Sequence, residues 1–315
     1  MLRCFYYMCH CLAQITRWHQ FLGLSLSKGV QFESFKILEE CTKKDFEKLC
    51  DEFYREKSFA LLIEKAKGAR FFSSKEDLCD LLHESLQDLL KESCSLITVG
   101  DSLYPSFLLE TKDRPLCLFV KGNPSLLKQE MISVVGSRRA SPFALDKSFE
   151  IASFLTRLGY VIVSGGAYGC DALAHKGALA HGGEASTLAV FAGGFSQLYP
   201  KGNEFLFKEI LDQGGALVTE RLWHQSSKPY DFPIRNRIIS GLCWTTLVMD
   251  ASLKSGTLVT AYKALDEGRN VFVLKSKAHA LPASGIELLI EQGALSFETK
   301  EELYGLLKET EVSCV

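Results

Sequence analysis

The sequence predicts an α/β fold, a doubly wound and mostly parallel sheet preceded by a small helical N-terminal domain. Six short apolar runs carry the first part: "MISVV" 131–135, "YVIVS" 160–164, "STLAVF" 186–191, "ALVTE" 216–220, "TLVMD" 246–250 and "VFVL" 271–274. Strands buried on both faces need such runs, and the helical patterns between them supply the crossovers of a parallel sheet. The second observation is a change of texture after Asp101, where a helical pattern gives way to prolines and short apolar runs. These place a Rossmann-like domain at 96–300, a helical domain at 1–95 and a short C-terminal helix and tail at 301–315.

The elements follow in order. In the helical segment, "FESFKILEECTKKDFEKLCDEFYREKSFALLIEKA" repeats apolar residues at three- and four-residue spacing, with Thr42 as cap and Gly68 as stop. Lys43, Lys44 and Lys48 are interleaved with acids and read as a solvated helix face. "YPSFLLETKDRPLCLFVKGNP" holds three prolines and reads as a connector. In the first crossover Ser141 can cap, Pro142 suits the first helical position, and Gly159 ends the helix. Ile151, Phe154, Leu155 and Leu158 form its core stripe.

Composition limits the function. A chain of 315 residues, 47% hydrophobic and 23% charged, is long enough for one large core with a smaller attached domain. A net charge of −2 and an isoelectric point near 6.4 exclude a uniformly basic coat, so a polyanion would need a local cluster. Eleven cysteines without a C-x-x-C pair suit buried thiols in a reducing cytosol. Cys4, Cys9, His10 and Cys11 lack zinc-site spacing, so no metal is expected. No run approaches the roughly 20 apolar residues of a membrane span, and a cytoplasmic protein is expected.

Ligands of open parallel sheets bind beyond the carboxyl ends of the strands, so the residues after each apolar run carry the information. "VVGSRRASP" places Gly136, Ser137, Arg138 and Arg139 there, and "SGGAYGCD" adds Ser164, Gly165, Gly166, Gly169 and Asp171. "DFPIRNRIISGL" brings Arg235, Asn236 and Arg237, and "DASLKSGTLVTA" brings Lys254, Ser255, Gly256 and Thr257. Bare glycine backbone at a helix start, with guanidinium groups alongside, is suited to binding phosphate. Neither G-x-G-x-x-G nor G-x-x-x-x-G-K-[ST] is present, so no dinucleotide or ATP cofactor is expected.

Those stretches, "VVGSRRASP", "VIVSGGAYGCDALAHKGAL", "FPIRNRIISGL" and "SGTLVTAYKALDEGRNVFVL", with "DSLYPSFLL" upstream, resemble the DNA processing protein A family, DprA, also called Smf. The resemblance runs over about 96–295. It implies a homodimer that binds single-stranded DNA and loads the RecA recombinase onto incoming DNA in natural transformation. It also implies a DNA-facing pocket of Ser137, Arg138, Gly165, Gly166, Gly169, Arg235, Arg237 and Lys254 to Thr257. On physical grounds Arg138 and Arg237 are expected as surface phosphate contacts, with Phe232 or Tyr168 as base-stacking candidates. Two positions depart from the family pattern. Gly166 replaces a bulkier apolar residue, which is expected to widen the turn, and Glu287 in "SGIELLIEQGA" stands where Asn is usual. The winged-helix domain of many members is not expected within this chain.

Two rival functions remain open at this point. A nucleoside-monophosphate N-glycosidase on a related fold would need a carboxylate on the helix after Gly256-Thr257, where Leu258, Val259 and Thr260 stand instead. Asp171 and His175, four apart on one helix, are read as a cap and a half-buried histidine rather than an acid–base pair. A small-nucleotide sensor using the same pocket is the other rival. The expectation is a binding protein without turnover.

Overall fold

The computed structural model of the chain describes residues 88, 91–99, 101–115, 117–180, 187–275 and 284–311. Most of the helical segment expected over 1–95, and the group from Cys4 to Cys11, lie outside the described residues.

The six apolar runs form strands, joined by three others in one nine-stranded sheet. The strands are β1 (Ser95–Thr98), β2 (Cys117–Gly122), β3 (Met131–Val135), β4 (Val161–Ser164) and β5 (Thr187–Phe191). They continue with β6 (Ala216–Thr219), β7 (Thr245–Val248), β8 (Asn270–Leu274) and β9 (Leu295–Phe297). Their spatial order is β1-β2-β6-β5-β4-β3-β7-β8-β9. From β6 to β9 every neighbouring pair is parallel, while β1 with β2 and β2 with β6 are antiparallel.

The stretch after Asp101 is more than a connector. It contains a short helix, α1 (Ser106–Glu110), and strand β2, whose Cys117, Leu118, Phe119 and Val120 are all buried. Pro115 and Pro124 stand outside the ends of β2, where the missing N–H costs no ladder bond. The Tyr104 hydroxyl ties the stretch together by donating to the Pro115 carbonyl at 2.5 Å.

The helices are α2 (Pro142–Arg157), α3 (Cys170–Leu179), α4 (Glu204–Asp212), α5 (Asp231–Leu242), α6 (Gly256–Asp266), α7 (Gly285–Glu291) and α8 (Lys300–Glu311). At the start of α2 the Ser141 hydroxyl accepts from the Ala144 amide at 3.2 Å, and Pro142 occupies the first turn. Ile151 and Leu155 are fully buried, but Leu158 is 41% exposed because it caps the helix and has left the stripe. Ser284 likewise caps α7 through the Glu287 amide, so Glu287 occupies the first turn, where the helix dipole favours an acid.

Strand alternation divides the core between the two faces of the sheet. Met131 and Val135 of β3 pack on one side with Ile238, Leu242, Leu258 and Ala261 of α5 and α6. Ile132 and Val134 pack on the other with Ile151, Leu155, Ala174 and Ala178 of α2 and α3. Helix α8 adds Leu303 and Leu307 to this second cluster, so the segment beyond 300 packs with the sheet. Among the described residues no helix is long and apolar enough to cross a membrane.

From β3 the chain winds outward through β4, β5 and β6, then returns to place β7 on the opposite side of β3. The order reverses between β3 and β7, where an open α/β sheet has a crevice at its carboxyl edge.

Candidate anion-binding site at the strand ends

The loop after β3 presents two cations. Arg138 and Arg139 are exposed. The Ser137 hydroxyl accepts from the Arg139 amide at 3.2 Å, which fixes the turn, and the Ser137 carbonyl accepts from the Cys170 amide at 3.3 Å. Arg138 lies over the Phe232 ring, 5.5 Å from its centroid.

The loop after β4 packs against this one. Gly169 has φ +79°, and a side chain there would put Cβ 2.3 Å from the Ser137 carbonyl oxygen and 2.8 Å from that of Arg138. Only glycine allows the two loops to approach this closely. Gly166 also has positive φ, and a Cβ there would lie 2.9 Å from the Phe207 ring. Its bareness therefore lets Phe207 pack in, rather than widening the turn. Ser164 faces inward, its hydroxyl donating to the Val134 carbonyl at 2.7 Å.

Arg235 is only 6% exposed. It donates to the carbonyls of Gly165, at 2.9 Å, and Val190, so it braces the floor of the site. Burial lowers its pKa to about 10, against the upward pull of Asp171. Asp171 is itself buried and accepts from the Ala167 amide at 3.3 Å, which makes it an internal tie of the glycine loop rather than a helix cap. Burial raises its carboxyl, and Arg235 opposes the rise.

His175 is fully buried, not half-buried, with Nδ1 2.7 Å from the Thr187 hydroxyl. Burial, with a smaller push from Arg235, drives its pKa down to about 3. A histidine lowered from an unfolded value near 6.5 contributes its full stability above that pH. It then costs about 1.4 kcal/mol per pH unit as the pH falls toward 3. Thermal melts between pH 7 and 4 should show wild type losing stability more steeply than His175→Gln.

Asn236 donates to the Gly256 carbonyl at 3.3 Å and links α5 to the loop after β7. In that loop Lys254 is exposed, Ser255 caps α6 through the Leu258 amide, Gly256 faces open space and Thr257 is buried. Arg237 departs from expectation. It is 3% exposed, bonded to Glu220 at 2.6 Å and paired with Asp113 at 3.2 Å, so it is not a surface phosphate contact. Residues two apart on a helix lie about 200° apart, which turns Arg237 away from the face that Arg235 occupies.

A cleft thus forms from Arg138, Gly165, Ala167, Tyr168, Tyr199, Pro200, Phe232 and Arg235. Both stacking candidates line it. Tyr199 and Pro200 were not selected from the sequence, nor was Asn203, whose amide donates to the carbonyls of Gly166 and Ala167 at 2.9 and 3.3 Å. The sequence shows only "YPKGN", an aromatic–proline pair in the long loop beyond the third apolar run, with nothing to place it against the glycine loop. Chemically the cleft offers one exposed guanidinium for a phosphate, with rings beside it for a planar group.

The fold and cleft define a class, the doubly wound α/β proteins with a cationic, aromatic-walled site at the strand ends. Within that class the chain belongs to the DNA recombination-mediator protein A family, whose model matches residues 95–308. It is 39% identical over 222 residues to Protein Smf of Escherichia coli, an alignment covering 70% of this chain and 59% of that one. The X-ray structure of DNA processing protein A from Streptococcus pneumoniae superposes with a TM-score of 0.63 at 29% identity, covering 84% of this chain and 98% of that one. DNA processing protein A from Helicobacter pylori, described for its single-stranded DNA binding mode, gives a TM-score of 0.60 at 29% identity, covering 65% and 93%.

Proposed function

We propose that the chain binds single-stranded DNA in this cleft and acts as a recombination mediator. In this reading it protects incoming DNA and loads a RecA-type recombinase in natural transformation, as a cytoplasmic homodimer without catalytic turnover. The observation that carries the reading is exposed Arg138 lying over Phe232 beside the glycine loop. A guanidinium for a phosphate and a ring for a base, with no base-edge readout required, is how proteins hold single strands irrespective of sequence. Arg139 and Lys254, on neighbouring strand-end loops, extend the cationic edge along which a backbone could run.

Turnover has little support. Asp171 is committed to the Ala167 amide, and His175 sits fully inside with its pKa far below neutrality. On α6 Leu258, Val259 and Thr260 follow Gly256-Thr257, where a hydrolase of the related fold would need its carboxylate.

The test is a salt titration with a fluorescent mixed-sequence oligonucleotide, single- and double-stranded. If about three phosphates are neutralised, log affinity for the single strand falls against log salt with a slope near −2, at roughly −0.7 per contact. Arg138→Ala should weaken binding and reduce the slope by about 0.7 while the melting temperature stays unchanged. A flat salt response, or displacement of the oligonucleotide by a mononucleotide at low concentration, would favour the nucleotide-sensor reading.

A further inference from the structure

Two adjacent residues of opposite charge at the end of β6 grip α5 at two points. Glu220 accepts from Arg237 at 2.6 Å, and both side chains are 4% exposed. Arg221 donates to Asp231 at 2.8 Å, with side chains 8% and 6% exposed, and the second Asp231 oxygen accepts from the Lys228 amide at 2.8 Å. We propose that this Glu220–Arg221 pair is a clamp that sets the position and rotation of α5. Arg237 and Asp231 are then positioning residues for the DNA site, a role that rests on the reading above.

The anchors are six residues apart on α5, about 9 Å along its axis at 1.5 Å per residue. Phe232, Arg235 and Asn236 lie between them and make the α5 contribution to the cleft and its floor. Because the two pairs have opposite polarity, moving α5 to bring Asp231 near Glu220 would oppose like charges in a buried setting. Buried ion pairs add little net stability over apolar packing, and their best-attested use is to fix register. Arg237 leaves its Nη1 without a hydrogen-bond partner, so its hydrogen bonding is not optimised for stability. From the far side of the helix it also spans to Asp113 in the loop after α1, which adds a third support.

The test compares Arg237→Ala and Arg138→Ala, singly and together, at a temperature where circular dichroism shows each variant folded. Arg237→Ala should weaken single-strand binding by about tenfold with an unchanged salt slope, since no phosphate contact is lost. Arg138→Ala should cost fewer-fold in the Arg237→Ala background than in wild type, because a displaced α5 no longer holds Phe232 under Arg138. If Arg237→Ala does not fold, Glu220→Gln and Arg237→Lys provide the same comparison. A slope reduced by about 0.7 on losing Arg237 would make it a phosphate contact and overturn the clamp. Full affinity in a folded variant, or strictly additive losses, would also overturn it. No binding by the unsubstituted chain at any salt would instead bring down the DNA reading, and the clamp's role with it.

Discussion

Arg235→Ala should lower the melting temperature by about 10 °C and abolish single-strand binding. The guanidinium is the donor to the carbonyls of Gly165 and Val190, at the ends of two neighbouring central strands. It is also the charge that opposes the raised pKa of buried Asp171. Removing it leaves two inward carbonyls without that donor and the buried Asp171 carboxylate without the positive charge of Arg235. Stripping the partner from a buried charge costs about 3–5 kcal/mol. For a domain of this size each kcal/mol moves the transition by roughly 2–4 °C. Arg138→Ala supplies the contrast, with binding weakened and stability kept. A thermal melt of both variants beside the oligonucleotide titration checks the prediction, and an unshifted melt for Arg235→Ala would show that the floor of the site has other support.

The second large effect is at Gly169. Its backbone lies at φ +79°, ψ −131°, a region costing a non-glycine residue about 1–3 kcal/mol, and the added methyl would strike two backbone carbonyls of the neighbouring loop. Neither carbonyl can swing aside as a flexible side chain could. Gly169→Ala should therefore displace the loop carrying Arg138 and reduce affinity for a single strand more than tenfold. Gly256→Ala is the control. It lies in the same band of loops, but a Cβ there meets nothing within 4 Å, and binding should stay within about twofold of wild type.

Much of the central sheet was legible because β3 to β8 are buried on both faces and read as unbroken apolar runs. The strands missed are those where that physics weakens. In β1 only Ile97 is buried, β9 is three residues long with Leu295 49% exposed, and β2 is hidden between prolines that flank it without entering it. At the site, Arg138, Gly165, Arg235, Phe232 and Tyr168 do meet at one cleft. Arg237 does not, although the angular separation of 235 and 237 was there to be read once "RNR" was placed on a helix rather than in a loop. Tyr199, Pro200 and Asn203 were missed for a different reason. Their segment curls back against the glycine loop, an adjacency that period and composition do not encode.

The strand order also bears on how the chain emerges from the ribosome. Ser133 of β3 bonds to Thr246 of β7 across 113 positions, whereas β4, the other neighbour of β3, follows after one crossover helix. At about 5–20 residues per second, one side of β3 remains an open ladder edge for several seconds of synthesis. During that interval β3 to β6 can assemble with their helices while an apolar edge at the middle of the future sheet is exposed, a template for pairing with another nascent chain. The interior edge of β3 is thus covered only when β7 arrives, after the strands on its other side are already in place, so shielding of that edge during synthesis, as a holdase chaperone provides, would protect the newly made chain.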